Sequence, residues 1–272
     1  MKPITFTLRN KPDQRLNLAG LTPERLTGLS ETDIAALPIN TTKETRTVGD
    51  VFKIGYGEVS EIRISASDGA RLDNIGHNLT QGQIIVEGGA GAYAGLAMSG
   101  GDLRITGNTG PFAGSGMSGG FIRIKGDTGD HLGAARTGEM RGMTGGTIIV
   151  TGRAGARAGD RARRGLIVIG GDAGDYAGSR MIAGTVAIFG NCGVMPGYLM
   201  RRGSIILAGD ATAWTPTFID SGRVELTYLR LLAVSLRQEL PAVQLSIFKQ
   251  PVRRLSGDLA TIGKGEILHL KG

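Results

Sequence analysis

Short runs of aliphatic residues alternate with glycine-rich segments through the middle of the chain. The runs begin at Ile84, Leu103, Ile122, Ile148, Ile167, Val186 and Ile205. Successive runs are 19 residues apart except for one interval of 26, and a looser copy begins at Ile62. With the first aliphatic residue as position 0, position 2 is aliphatic in each run while position 1 varies, as at Arg104 and Ala187. This period of two predicts short strands with one buried face.

The glycines follow the same register. Position 4 of each run is glycine, namely Gly88, Gly107, Gly126, Gly152, Gly171, Gly190 and Gly209, and positions 7 and 11 are glycine in six runs. Such a density of glycine excludes a helix, at about 1 kcal/mol for each one, but suits a chain that bends several times per repeat. The sequence therefore predicts an all-β fold, a right-handed parallel β-helix of 19-residue coils with short α/β capping segments at both ends. Methionines at position 14, such as Met98 and Met181, are interpreted as filling its narrow core.

The two ends of the chain do not repeat. Residues 1–50 are predicted to form an N-terminal cap, with a strand at Ile4, Phe6 and Leu8, helix starts at Thr22 and Ser30, and a helix end before Pro38. Residues 51–222 are predicted to form the glycine-rich β-helix, and residues 223–272 a C-terminal cap or extension. The apolar run 229–236 fits either a helix or a strand, and the tail 255–266 is predicted to be rich in turns and to cover the far end.

Composition narrows the class of protein. The 272 residues include 46 glycines without a period of three, which excludes collagen, and 40% hydrophobic residues, which argues against disorder. A single cysteine excludes an intrachain disulfide framework. We find neither a signal-peptide pattern nor an apolar run long enough to cross a membrane, and therefore expect a cytoplasmic protein.

Candidate catalytic groups are few. His77, His131 and His269 are far apart in sequence, and we interpret them as structural or surface residues. Cys192 occupies position 6, where the other coils carry small residues, so an inert buried thiol is favoured over a nucleophile. Asp127, Asp172 and Asp210 share position 5 with asparagines and are interpreted as turn formers rather than as a cation site. We therefore expect neither catalytic nor metal-ligating residues on this chain.

Basic residues cluster on a few coils and give a formal net charge of +7. The candidates for a docking stripe are Arg136, Arg141, Arg157, Arg161, Arg163, Arg164, Arg180, Arg201 and Arg202. One interpretation is a solvated face that blunts edge-to-edge pairing, and the other is a docking site for an acidic partner or an anionic carrier. Nucleic acid is disfavoured because aromatic residues make up only 5% of the chain.

Several segments resemble a known family. The repeat GNTGPFAGSGMSGGFIRIKGDTG resembles the β-helix of the C-subunit family of formylmethanofuran dehydrogenase and also the C-terminal domain of glutamate synthase large subunits. The flanks, LTPERLTGLSETDIAALPI with VGDVFKIG and FKQPVRRLSGDLATIGKGEILHL, look like those of the C-subunit family. The resemblance then covers nearly the whole chain.

This resemblance implies one of two complexes. In one branch the protein belongs to a molybdenum or tungsten formylmethanofuran dehydrogenase. In the other, which the Lys-poor and Arg-rich composition favours, it belongs to a bacterial formyltransferase/hydrolase complex of one-carbon metabolism. That complex moves a formyl group from formyl-tetrahydromethanopterin to a methanofuran-type carrier and hydrolyses it to formate.

The resemblance also implies which partners the chain has. The implied partners are a formyltransferase subunit, an amidohydrolase-like subunit that holds zinc and a dehydrogenase-like subunit, with catalytic sites on those chains and no cofactor on this one. A free-standing β-helix enzyme acting on acidic polysaccharide is the remaining alternative. It would need paired carboxylates on one wall, whereas Glu87 and Asp102 are scattered.

Overall fold

The computed structural model describes residues 2–67, 69–241 and 245–271. The N-terminal strands are β1 (Pro3–Leu8), β2 (Leu16–Asn17), β3 (Pro38–Thr41), β4 (Arg46–Thr47), β5 (Phe52–Gly55), β6 (Glu58–Ala66) and β7 (Leu72–Asp73). The helices among them are α1 (Pro23–Leu26), α2 (Glu31–Ala36) and α3 (Val48–Val51). The predicted strand and both predicted helix starts are confirmed, and Ser30 caps α2 by accepting a hydrogen bond from the Asp33 amide. Pro38 begins β3 two residues after α2 ends, which confirms it as the helix stop.

The repeats form a β-solenoid. Its first wall is built from β6, β8 (Gln83–Gly88), β9 (Asp102–Ile105), β10 (Phe121–Ile124), β11 (Thr147–Val150), β12 (Leu166–Ile169) and β13 (Thr185–Ile188). After β14 (Cys192–Val194), which lies on another wall, β15 (Arg202–Leu207) completes the first wall. Neighbouring strands of this wall are parallel, and residues at position 0 pair in succession, as Ile122 does with Leu103 and Ile148. The predicted parallel β-helix is confirmed, and the long interval keeps this register because its seven extra residues leave the coil as a loop.

The second wall is narrower. Position 6 of each coil pairs with position 6 of the next through parallel bridges that run from Ala90 to Cys192. Beyond them β14 pairs with β16 (Ala211–Ala213). Thr109 Oγ1 donates to Thr128 Oγ1 at 2.8 Å within this buried column. Ala90, Ala154, Ala173 and Cys192 belong to the buried core cluster, so small side chains at this position fit a narrow interior.

The third wall, coil positions 8 to 14, is made of turns rather than strands, and it closes the core. Met98, Met117, Met181 and Met200 have 0% of their surface exposed, and Met143 has 1%. The interpretation of the methionines as core residues is confirmed. They fill the space between the third wall and the aliphatic residues of the first.

The C-terminal segment covers the end and one side of the solenoid. Its elements are β17 (Ile219–Val224), α4 (Thr227–Ser235), a 3-10 turn (Ile247–Lys249), β18 (Val252–Gly257) and β19 (Lys264–His269). β19 continues the first wall in parallel beside β15, and β18 and β17 follow it in antiparallel pairs. The run 229–236 is therefore mostly helix. The prediction that 255–266 is rich in turns is wrong at both ends, since β18 and β19 leave only 258–263 between them.

Helix α4 packs on the outer face of the first wall. Position 1 faces outwards and changes from Arg104 and Arg123 to apolar residues in the later coils, namely Ile149, Val168, Ala187 and Ile206. These four side chains form a second buried cluster with Leu229, Leu232 and Leu236. The run of four consecutive apolar residues at position 1 therefore marks the covered part of the wall, whereas the isolated Ile85 lies outside this cluster. No helix of the described residues is long and apolar enough to span a membrane.

Candidate functional site

One corner of the third wall carries a column of bulky residues in the left-handed backbone region. They are Tyr93, Phe112, His131, Arg157, Tyr176 and Met195, with φ between 54° and 64°. This conformation costs a residue with a Cβ about 1 kcal/mol or more, and glycine would avoid that cost. The side chains recover part of it by stacking. Phe112 lies 5.2 Å from the ring of Tyr93 and 4.6 Å from that of His131.

The stack assigns a packing role to His131. Its ring is within 4° of parallel to Phe112, and its Nδ1 is buried without a hydrogen-bond partner. Burial lowers the pKa of His131, an effect that the nearby carboxylates of Asp130 and Asp160 partly offset. A neutral stacked imidazole results. The variation at position 9 reflects exchange among mostly flat side chains, and that shared shape is the signal that could have indicated the stack.

The other two histidines lie elsewhere. His77 is half-buried, and burial together with the positive charges of Arg25 and Arg136 lowers its pKa. His269 Nε2 lies 3.1 Å from Asp210 Oδ1, and its ring is 5.1 Å from that of Trp214 at the C-terminal end. The histidines do not converge. Among residues 2–67, 69–241 and 245–271, no group of three or more His, Cys, Asp or Glu side chains is placed to hold a metal ion.

Cys192 lies in the second wall with 2% of its surface exposed. Burial raises the pKa of its thiol to about 12. The prediction that Cys192 is buried is confirmed, and so high a pKa leaves little of the nucleophilic thiolate near neutral pH.

Two of the three acidic residues of position 5 accept hydrogen bonds from the backbone of the neighbouring coil, while Asp210 lies against His269. Asp127 Oδ1 accepts from the Arg153 amide at 2.7 Å, and Asp172 Oδ1 accepts from the Asn191 amide at 2.7 Å. The interpretation of Asp127 and Asp172 as formers of local turns is therefore wrong about the hydrogen-bond partner. The hydrogen bonds join equivalent positions of successive coils, so they help to fix the stacking of the coils.

Four of the nine candidate arginines are held within the chain. Arg136 pairs with Glu139 in the loop of the long repeat, and Arg161 Nη1 donates to the Glu139 carbonyl at 2.7 Å. The guanidinium of Arg157 stacks 5.0 Å from the centre of the Tyr176 ring. Arg180 donates to both carboxylate oxygens of Asp160, at 2.9 and 3.0 Å. These four side chains serve the architecture of the third wall.

Asp160 is the charge that organises this part of the wall. It is 4% exposed and also accepts from Ser179 Oγ at 2.6 Å, while Arg161 Nε lies 3.9 Å from its Oδ2. A buried carboxylate with this many donors is compensated locally. Its negative charge therefore offsets part of the positive charge of the arginines that the sequence predicts as a docking stripe.

The remaining five candidates face solvent. Arg141, Arg163, Arg164, Arg201 and Arg202 are exposed, and within the described part of the chain their side chains make neither a hydrogen bond nor an ion pair. We refer to these five residues as the free arginine patch. Their charges are available to an external acidic group.

Coil stacking sets the spacing within the free arginine patch. The amide of Arg163 donates to the Met143 carbonyl, that of Ile182 to the Ala162 carbonyl and that of Arg201 to the Met181 carbonyl, each at 2.8 Å. Arg163 and Arg201 are thus two rungs apart, about 10 Å at the usual strand spacing. Ile182 lies between them and, with Ile262, lines a cleft of about 360 Å³ beside Arg201 and Arg202. The patch therefore combines cations with an apolar strip, which the charges alone did not indicate.

Comparison with known proteins places the chain beside one kind of assembly. No family model matches the sequence. The chain is 56% identical over 263 residues to the C subunit of the formyltransferase/hydrolase complex Fhc of Methylorubrum extorquens, across 97% of this chain and 98% of that protein. It superposes with a TM-score of 0.91 and 44% identity on a chain in the X-ray structure of the formyltransferase/hydrolase complex FhcABCD from Methylorubrum extorquens with methylofuran, over 97% and 98% of the two chains. These relatives match the formyltransferase/hydrolase branch of the sequence prediction and not the dehydrogenase branch.

Proposed function

The chain belongs to the C-subunit family of formyltransferase/hydrolase complexes, and we propose that it is the non-catalytic solenoid around which such a complex assembles. The complex transfers a formyl group from formyl-tetrahydromethanopterin to a methanofuran-type carrier and hydrolyses the formylated carrier to formate. Residues 51–222 supply the rod, and the segments 1–50 and 223–272 close its ends. The proposed setting is the cytoplasm.

The free arginine patch is the observation that carries this proposal. It is a set of cations, unpaired within the described residues, whose backbone positions are fixed by hydrogen bonds between the coils. This matters because a docking surface whose backbone is already ordered loses entropy on binding only in its side chains. We assign the patch to contact with acidic surfaces of the neighbouring subunits.

The proposed neighbours are a formyltransferase subunit, an amidohydrolase-like subunit that holds zinc and a dehydrogenase-like subunit. The carboxylate-rich glutamyl part of the carrier is a second group that the same arginines fit. Carboxylates of either origin would form charge-assisted hydrogen bonds with the guanidinium groups. The known relative was crystallised in complex with methylofuran, which supports a carrier of this class.

The experiment is a native purification of the complex from its source, followed by mass spectrometry of the subunits and metal analysis. We expect formyltransferase and amidohydrolase-like subunits with zinc. Molybdenum or tungsten with iron–sulfur subunits would overturn the assignment. A chain that purifies alone, without other subunits, would overturn the scaffold role itself.

A charge-reversal variant tests the docking role of the free arginine patch. Arg163→Glu with Arg201→Glu should weaken assembly or turnover, and the loss should be larger at low ionic strength, where charges act over a longer range. The matched control is Lys53→Glu with Lys125→Glu, since both lysines are exposed at other sites and the change in charge is the same. Equal effects of the two double variants at both ionic strengths would remove the patch from the proposal.

A further inference from the structure

Helix α4 is apolar on both sides. Its inner residues Leu229, Leu232 and Leu236 are buried against the first wall. On the outer side Leu231 is 66% exposed and Val234 is 59% exposed, while Tyr228 reaches back to the first wall, where its hydroxyl lies 3.2 Å from Thr185 Oγ1. Leu231 and Val234 lie at i and i+3 and form an exposed apolar stripe. An exposed apolar stripe on a helix whose other face is already buried is typical of a surface that a partner covers.

A cleft runs beside this stripe. It has a volume of about 600 Å³ and is lined by Val234, Ala233, Leu245, Ser246, Arg230, Arg237 and Lys249. Among the described residues, the lining contains three cations and no acidic side chain. Arg230 lies 3.4 Å from Glu225, and both of those side chains are more than half exposed, so the contact is weak. A cleft with an apolar floor and basic residues at its edge favours a partner whose apolar residues are flanked by acidic ones.

We propose that this cleft receives an apolar helical segment of another subunit, with acidic residues on its flanks. The stripe and its cleft have the form that helix-in-groove recognition uses, with anchors spaced by one turn. The three cations are complementary to the acidic flanks and would fix the direction of the segment. The inference rests on the proposed function, because it assumes that the chain works inside a heteromeric complex.

The first test is Leu231→Asp with Val234→Asp, assembled with the other subunits of the complex. Carboxylates in the stripe lose the apolar contact and repel the acidic flanks, so the dissociation constant should rise about 30-fold or more. Both side chains are exposed, and we expect an unchanged midpoint of thermal unfolding for the isolated chain. The control is Ile219→Asp, another exposed apolar residue, outside α4 and its cleft, which should leave the dissociation constant within a factor of about three.

The second test identifies the occupant. A photo-cross-linking residue replaces Leu231, and the reconstituted complex is irradiated and mapped by mass spectrometry. We expect a cross-link to a helical segment that carries Asp or Glu beside apolar residues. Arg237→Glu should weaken assembly about 10-fold, and exchange of an acidic residue of that segment for arginine should restore it.

The outcomes separate the two proposals. Normal assembly of the Leu231→Asp, Val234→Asp variant, while the free arginine variants fail, overturns the helix cleft and leaves the scaffold role in place. A cross-link to a second copy of this chain, or to a segment without acidic residues, also overturns it. Failure of the unsubstituted chain to bind any subunit overturns the proposed function.

Discussion

Arg123 and Glu239 join the solenoid to its C-terminal segment across 116 positions of sequence. Arg123 Nη2 donates to Glu239 Oε1 at 2.7 Å, and its Nε lies 3.0 Å from both carboxylate oxygens. Its Nη1 donates to Asp102 Oδ1 at 2.8 Å. Arg123 is the last charged residue at position 1 before the apolar residues of β11 to β15 begin. The pair therefore lies at the edge of the surface that the C-terminal segment covers.

Removal of this arginine should loosen the C-terminal segment. Arg123→Ala leaves the partly buried carboxylate of Glu239 without its donor, while Asp102 keeps Arg104, and this should cost about 1–2 kcal/mol. Hydrogen exchange measures this locally, and amides of α4 should exchange about 10-fold faster for each 1.4 kcal/mol lost. Arg104→Ala is the control, because Arg104 is half-exposed and pairs with Asp102 on its own strand. Equal acceleration in both variants would show that the Glu239 contact contributes nothing.

Some glycines are required because the backbones of neighbouring coils lie too close to leave room for a Cβ, and not because of their conformational freedom. A Cβ on Gly174 would lie 2.7 Å from the Ala156 nitrogen and 2.8 Å from the Gly155 carbonyl carbon, both of them backbone atoms of the preceding coil. Gly174→Ala should therefore force two coils apart and lower the free energy of unfolding by about 2–3 kcal/mol. Gly20→Ala is the control, since nothing lies within 4 Å of its added Cβ, and we expect a change within about 0.5 kcal/mol. The two substitutions are compared by denaturant titration, and a similar loss in both would contradict the packing argument.

The repeat predicted the solenoid because residues that share a position in the repeat are the ones that pair between neighbouring strands. Ile84, Leu103 and Ile122 share a position, and the structure pairs them directly. The helix over the first wall was not predicted, because position 1 was interpreted as freely variable although it changes from Arg123 to Ile149 and Val168. An outward residue that becomes apolar in consecutive coils indicates a cover, and the run 229–236 was available to supply it.

The arginine stripe was predicted as one set, and stacking divides it. Asp160 at position 12 meets Arg180 at position 13 of the next coil, a neighbour relation that the repeat contains but that charge counting ignores. Glu139 belongs to the loop of the long repeat, which has no counterpart in other coils. Its contact with Arg161 could not be placed from the register.

Acid should destabilise the fold through His131. Its folded pKa is lowered, so between that value and the ordinary value of about 6.5 the unfolded chain binds more protons than the folded one. Stability should then fall as the pH drops below about 6.5, and it continues to fall until the folded pKa is passed. His131→Phe keeps a flat ring beside Phe112 and removes this titration, so the difference in unfolding free energy between pH 7.5 and 5.5 should shrink relative to the unsubstituted chain.

A second variant, His77→Phe, tests whether the effect is specific to one histidine. The pKa of His77 is lowered as well, and the effects of the two substitutions should add because the sites are separate. The double variant should show the flattest dependence on pH. If His131→Phe retains the full pH dependence, the buried imidazole is not the group that senses acid.

The thiol of Cys192 reports on whether the second wall opens. With its pKa raised from 9.0 to about 12, the thiolate is about 1000-fold less populated near pH 8 than in the unfolded chain. Iodoacetamide should therefore alkylate the native chain at least that much more slowly than the chain in denaturant, as followed by intact-mass spectrometry. Cys192→Ala supplies the unreactive blank and should fold normally, since Ala154 and Ala173 occupy the same column.

Alkylation of the native chain at a rate near that of the unfolded one would mean that the coils separate at Cys192 on the timescale of the reaction. A rigid wall for docking would then have to be sought at other coils.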